Sequence, residues 1–149
     1  MVSSQTLANI GFFTSVEPDF LKEIATLGKL VNLKKGEVLF KQEAHAKNLY
    51  VVVEGKLELT IEFREHLIDT LGPYMRGELV GWSALVRPHI YTMGARAVED
   101  TEVICFSGEA IMALMENDKD NGYLMLRKLT ELIGERLVNS SIQLMSMRA

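Results

Sequence analysis

Between Leu30 and Phe106, apolar residues largely alternate with polar ones, in short runs that are separated by glycines. The runs include EVLFK after Gly36, LYVVVEGKLELTIEF across Gly55, and HLIDTL before Gly72. Successive side chains of a β-strand point to opposite faces of a sheet, so this period is typical of strands with one buried face. Short strands joined by glycine turns predict an antiparallel barrel or roll.

Helical patterns flank this region on both sides. Apolar residues in residues 2–28 have helical spacing, and Pro18 and Asp19 suit a first helical turn. Strand patterns return at Tyr91–Ala97 and Thr101–Phe106, and Ser107 is a candidate N-cap for the helix that follows. The prediction is one mainly β domain: N-terminal helices in residues 1–28, a β-roll in residues 29–106, and C-terminal helices in residues 107–149.

The last predicted helix runs from about Asp120 nearly to the end of the chain. Its apolar and small residues step by four and three positions, which is the spacing of a coiled-coil seam. About 28 residues at about 1.5 Å each give a rod of about 42 Å, longer than one small roll can cover. We therefore predict a homodimer through this helix; the alternative is a stripe that packs on its own roll. The seam residues are Leu126, Thr130, Ile133, Leu137, Ser140, Leu144 and Met147.

Composition excludes several classes of protein. The chain has 149 residues, 16 Lys and Arg against 20 Asp and Glu, and therefore no strongly basic face for nucleic acid. We read no secretory signal at the N-terminus and no apolar run long enough to span a membrane, which predicts a cytoplasmic protein. The single Cys105 lies in a strand pattern and is predicted to be a buried, inert thiol.

Motifs for catalysis and metal binding are not found. His45, His66 and His89 are far apart and share no metal-ligand spacing. Ser83 in GWSAL lacks the second glycine of a nucleophile elbow, and no phosphate-binding loop of the GxxxxGK type occurs. We predict a chain that is neither an enzyme nor a metalloprotein.

The sequence resembles the cyclic nucleotide-binding domain of catabolite-activator-type regulators, kinase regulatory subunits and gated channels. The resemblance covers nearly the whole chain, beginning with GFFTSVEPDFLKEIATL and continuing through KKGEVLFKQEAHAKNLYVVVEGKLEL. It implies a β-roll with a phosphate-binding cassette, which here is the segment 77–92. In the family, a short helix in this cassette directs backbone N–H groups at the cyclic phosphate. The positions that match the family in the first half are Gly36, Glu37, Gln42, Leu49, Tyr50 and Gly55.

The cassette itself departs from the family at its two charged positions. Gly81, Ala84 and Leu85 match, but the family Glu that holds the ribose falls on Trp82, and the family Arg that pairs with the phosphate falls on Tyr91. Loss of one charge-assisted contact costs about 1.5–3 kcal/mol, about ten- to a hundredfold in affinity. We therefore expect weak or altered binding of cAMP and cGMP.

Other features of the family's ligand site are retained in this sequence, as the resemblance implies. Thr92 stands at a phosphate-contacting hydroxyl position, Ser140 and Ser141 match a hydroxyl pair that contacts the base, and the backbone N–H groups of Ser83 and Ala84 remain. The ligand-binding residues are accordingly predicted to be Gly81, Trp82, Ser83, Ala84, Tyr91, Thr92, Ser140 and Ser141.

The aromatic pair leaves two interpretations open. Trp82 and Tyr91 either fill the vacated pocket or form the floor of a site for a flatter, less anionic ligand. Arg87 and His89 either supply the lost cation or are solvated loop side chains. The first hypothesis for function is a regulatory sensor of a small effector, a cyclic nucleotide or another small anionic or aromatic molecule. The alternative is a pseudo-sensor without ligand that acts as a dimerisation or protein-interaction module.

Overall fold

A computed structural model describes residues 2–65 and 67–148 of the chain. Its strands form two four-stranded antiparallel sheets, in the orders β1-β8-β3-β6 and β2-β7-β4-β5. The fold class predicted from the alternating pattern, a mainly β roll with flanking helices, is confirmed. The strands are β1 (Lys29–Leu33), β2 (Val38–Phe40), β3 (Asn48–Glu54), β4 (Leu57–Arg64), β5 (Leu67–Tyr74), β6 (Leu79–Val80), β7 (Gly94–Ala97) and β8 (Thr101–Ser107).

Helices lie before and after the strands, with end signals that the sequence carries. The Ser107 hydroxyl accepts a hydrogen bond from the Ala110 N–H at 3.2 Å and so caps the following helix. Pro18 occupies the first turn of its helix, where a missing N–H costs nothing. The helices are α1 (Ser4–Ala8), α2 (Pro18–Leu27), α3 (Gly108–Asn117) and α4 (Lys119–Arg148), and 3₁₀ turns span Gly11–Phe13 and Trp82–Leu85.

The core lies between the sheets and beneath the N-terminal helices. Strand β3 is buried from Leu49 to Val52, hence on both of its faces, and it is an inner strand of its sheet between β8 and β6. The rings of Phe13 and Phe106 pack with centroids 5.6 Å apart, which joins the first 3₁₀ turn to β8. The helical entry is thereby part of the same core as the roll.

The long helix α4 is held to the domain from its start as far as Arg136, whose side chain donates to the Leu79 carbonyl oxygen. Asn121 is 3% exposed, its side-chain oxygen accepts from the Glu17 N–H at 2.9 Å, and its amide nitrogen donates to the Asp118 carboxylate at 2.9 Å. The side-chain amide and the backbone N–H of Asn121 both donate to the Asp118 carboxylate, and these two bonds lower the pKa of Asp118 below its ordinary value. From residue 137 onward, every described residue of α4 is exposed.

Three expectations from the sequence need correction or fall outside the description. The strand predicted from Tyr91 begins at Gly94. Tyr91 itself exchanges backbone hydrogen bonds with the turn at Glu43 and Ala44, where Glu43 has a left-handed backbone (φ 70°). Cys105 is half-buried rather than buried, although burial still raises the pKa of its thiol. His66 lies outside the described residues.

Within residues 2–65 and 67–148, no helix combines the length and apolar character needed to cross a bilayer.

A close approach between α3 and the segment 82–85 sets the first prediction. A Cβ atom on Gly108 would overlap the Ala84 carbonyl oxygen and lie 2.8 Å from the Ala84 Cβ. Gly108→Ala should therefore lower the free energy of unfolding by about 1–3 kcal/mol, measured by urea denaturation. Gly11→Ala is the control, since a Cβ there meets nothing within 4 Å. Equal stability of the two variants would contradict the close packing.

Candidate functional site

Gly81 marks the point where the chain leaves the sheet and enters the cassette. Strand β6 pairs with β3 through Tyr50–Val80 and Val51–Leu79, and Gly81 then adopts a left-handed backbone (φ 79°). A side chain on Gly81 would place its Cβ 3.1 Å from the Asn48 carbonyl oxygen, so both conformation and space favour glycine. The turn starts the short 3₁₀ helix at Trp82.

Tyr91, at the position where the resemblance expects arginine, is packed into the roll. Only 5% of Tyr91 is exposed, and its ring stacks on Phe40 with centroids 3.9 Å apart. The hydroxyl donates to the Asn48 carbonyl oxygen at 2.5 Å. Burial raises the pKa of the Tyr91 phenol above its ordinary value, so the group is neutral at physiological pH. Tyr50 continues the stack on the Phe40 ring at 5.9 Å.

A cavity of about 750 Å³ lies between the roll and α4, within the size range of small-molecule sites. The wall from the roll is mainly apolar and aromatic, whereas the wall from α4 beyond Leu132 and Ile133 is polar except for Leu137. The roll contributes Phe40, Leu59, Leu71, Tyr74, Leu79, Trp82 and Tyr91. The α4 wall contains Arg136, Leu137, Asn139, Ser140 and Gln143.

Most of the residues predicted for the site line this cavity, but not all. Gly81, Trp82, Ser83, Tyr91, Thr92 and Ser140 belong to its lining. Ala84 and Ser141 do not. The Ala84 N–H already donates to the Gly81 carbonyl oxygen at 3.1 Å, and the Ser141 hydroxyl donates to the Leu137 carbonyl oxygen at 2.9 Å. Ser140 and Ser141 are adjacent on a helix and therefore face different directions.

The two candidate cations of the cassette loop stay outside the cavity lining. Arg87 is exposed. His89 has its ring Nδ1 3.1 Å from the Ser83 carbonyl oxygen, where it braces the loop. Neither side chain is placed to replace the family arginine in this arrangement.

Arg136 is the functional candidate that the sequence reasoning missed. Its guanidinium is half-buried, donates to the Leu79 carbonyl oxygen, and lies with its central carbon 5.0 Å from the centroid of the Tyr74 ring. Burial raises the pKa of Tyr74, with the nearby Arg136 charge acting in the opposite direction. The available signal was spacing, because Arg136 precedes Ser140 by four residues and so shares its helix face.

The described residues offer no alternative metal chemistry. In residues 2–65 and 67–148, no three His, Cys, Asp or Glu side chains come together in a way that could hold a metal ion. The cavity has the size for an organic molecule that contacts the aromatic wall and the polar face of α4 together.

The family profile described as cyclic nucleotide-binding domain matches residues 30–118, from β1 to the end of α3. The chain belongs to the cyclic nucleotide-binding domain family. In this family context, the cassette 77–92 carries Trp82 and Tyr91 at the positions where the resemblance expects the ribose-binding Glu and the phosphate-binding Arg.

Individual relatives agree with the family assignment. The chain is 32% identical over 116 residues to the cyclic AMP receptor protein of Thermus thermophilus, covering 74% of this chain and 49% of that protein. A solved structure of a Geobacter metallireducens protein, assigned as a cyclic nucleotide-binding protein, has a TM-score of 0.81 and 29% identity over 92% of this chain and 99% of that one.

A further relative is a much longer enzyme. Lysophospholipase nte1 of Aspergillus fumigatus is 27% identical over 93 residues, which make up 62% of this chain and 6% of the enzyme. The chain thus spans about half of one curated relative and a small fraction of another.

The Tyr91 hydrogen bond gives a stability prediction for the cassette. Tyr91→Phe leaves the Asn48 carbonyl oxygen without its donor and should lower the free energy of unfolding by about 1–2 kcal/mol in urea denaturation. Tyr123→Phe is the matched control, because Tyr123 is 62% exposed on α4 and should change stability by less than about 0.5 kcal/mol. A Tyr91→Phe variant as stable as the wild type would show that the hydroxyl does not hold the cassette.

Proposed function

We propose that the chain is a regulatory domain that senses a small organic effector in the cavity between the β-roll and α4. The single observation that supports this proposal is the cavity itself, which is lined by residues of the segment 77–92, by other parts of the roll and by α4. The role is regulatory rather than catalytic and is exercised in the cytoplasm. The effector is a cyclic nucleotide bound weakly or another small anionic or aromatic molecule.

Occupancy is coupled to the position of α4, because a ligand in the cavity contacts both walls. A ligand shifts a conformational equilibrium only by its difference in affinity between the two states. Beyond residue 133, Arg136 is the one α4 side chain whose hydrogen bond reaches the roll in the described residues. A ligand that adds contacts to Asn139 or Ser140 therefore stabilises one position of this segment over others.

The surface of α4 that faces away from the cavity is the proposed dimer interface. Leu126 and Leu144 of the predicted seam are 48% and 55% exposed and lie outside the cavity lining. Ile133, Leu137 and Ser140 of the seam line the cavity instead, so the exposed stripe runs beside them. Val138, Ile142 and Met145 widen it. Pairing with a second copy would bury this apolar surface. Because the effector contacts α4, its binding would then alter the geometry of the dimer.

The alternative function, a pseudo-sensor that serves as an interaction module, is supported by a different observation. The stack of Tyr50, Phe40 and Tyr91 fills the interior beside the cassette. Under this alternative, no small molecule alters the domain, and its partner is another protein. The two functions differ in whether any ligand stabilises the native state.

A ligand screen tests the sensor directly. A ligand that binds the native state stabilises it and so raises the thermal midpoint. At a ligand concentration a hundredfold above the dissociation constant, the free energy of unfolding increases by about 2.7 kcal/mol. We expect at least one compound in a set of nucleotides, organic acids and neutral aromatic compounds to raise it, and Ser140→Trp to abolish the effect by filling the cavity. Ser146→Trp is the control on an exposed part of the same helix, outside the lining. No stabilising compound, or one that Ser140→Trp leaves unaffected, would favour the pseudo-sensor.

The dimer has its own test. Leu144→Glu places a charge in the apolar stripe and should weaken self-association at least tenfold, about 1.4 kcal/mol, in sedimentation equilibrium. Ser146→Glu adds the same charge two residues later, outside the stripe, and should leave association unchanged. A wild-type chain that is monomeric at high concentration, or equal effects of the two variants, would contradict an α4 interface.

A further inference from the structure

The charged groups of the cavity are distributed unevenly. In the described lining, the ionisable side chains other than tyrosines are Arg136, Glu78 and Glu135. Arg136 is half-buried, whereas both glutamates are exposed. Glu78 turns one carboxylate oxygen to the Met75 N–H at 3.1 Å. The cavity thus has one partly desolvated cation and two solvated acids at its edge.

The guanidinium of Arg136 has unused hydrogen-bonding capacity. It carries five N–H donors, and its hydrogen bond to the Leu79 carbonyl oxygen uses one of the two nitrogens at its end. None of the ion pairs among the described residues includes Arg136. Its contact with the Tyr74 ring attracts the guanidinium without neutralising the charge.

The cassette end of the cavity provides weaker partners for an anion than Arg136 does. The Tyr91 hydroxyl, at the family arginine position, is already donated to Asn48 and its ring is covered by Phe40. Arg87 lies outside the lining. An anionic group in this cavity therefore finds its charge partner on α4, not in the cassette.

From this distribution we propose that the effector is a monocarboxylate with a flat apolar body, whose carboxylate pairs with Arg136 while its body packs on the wall formed by Trp82, Leu79 and Phe40. The inference rests on the proposed function, because it names the class of ligand for the same cavity. A planar carboxylate accepts two parallel N–H bonds from a guanidinium. Glu78 and Glu135 oppose a second negative charge, which disfavours dianions such as phosphate monoesters.

The binding mode differs from the one that the family resemblance implies. There, an anion is held in the cassette by arginine and backbone N–H groups. Here the cation that pairs with the anion is Arg136, on the helix that carries the proposed dimer surface. Loss of the ion pair between Arg136 and the ligand therefore weakens both the affinity for the ligand and the coupling of binding to the position of α4.

Matched acids and amides test the ligand class. The probes are phenylacetate, indole-3-acetate and 1-naphthylacetate, each beside its neutral amide, titrated into the full chain by calorimetry with cAMP as a phosphate comparison. We expect at least one acid to bind about ten- to a hundredfold more tightly than its amide. Arg136→Gln should abolish this difference, and Arg136→Lys should restore part of it.

Arg127→Gln is the control variant, since Arg127 is exposed on α4 and outside the lining, and it should leave the acid preference intact. Thermal unfolding of each variant without ligand separates a loss of binding from a loss of fold, and the Lys variant keeps the charge if Arg136→Gln proves unstable.

The outcomes separate the inference from the proposed function. Amides that bind as tightly as their acids, with binding lost in Ser140→Trp, would overturn the carboxylate and leave the sensor in place. A ligand of another class from the screen, with no acid binding, would do the same. If neither these pairs nor any compound of the screen binds, the inference and the sensor both fail.

Discussion

The hydrogen bond from the Tyr91 hydroxyl to the Asn48 carbonyl oxygen, with the Tyr91 ring stacked on Phe40, determines the shape of the site. It ties the end of the cassette to the start of β3 and keeps the phenol buried. A charged arginine at this position would require an anion beside it, whereas a neutral phenol is satisfied by the backbone. Contacts within the chain thus close the cassette at Tyr91, and the cavity lies on the side of α4.

The half-buried charged residue of the described cavity lining lies on α4 and not in the cassette. Arg136 lies between the Leu79 carbonyl oxygen and the Tyr74 ring, in contact with the strand that leads into Gly81. Beyond it, α4 has no buried residue in the described part and presents an apolar surface. One side of the same helix segment therefore lines the cavity, and the other side is exposed.

The fold was largely predictable because its determinants are local in sequence. The alternating pattern, the glycine turns, Pro18 and the Ser107 cap each act over a few residues, and together they locate the roll and its helices. The cassette segment was likewise recognisable from Gly81, Ala84 and Leu85. Its function was harder to predict, since the Tyr91 partner lies 43 residues away and Arg136 meets a strand 57 residues earlier. Such pairings depend on tertiary packing, and for the same reason Ser140 and Ser141, alike in sequence, separate in the structure.

The most direct measurement is a calorimetric titration of cAMP into the wild-type chain beside the double variant Trp82→Glu/Tyr91→Arg. If the buried tyrosine has replaced the phosphate contact, the wild type should give no saturable heat up to about 1 mM, whereas the folded double variant should bind measurably more tightly. Saturable micromolar binding of cAMP by the wild type would contradict the account, because Tyr91 would then have to leave Asn48 and Phe40 to admit the phosphate.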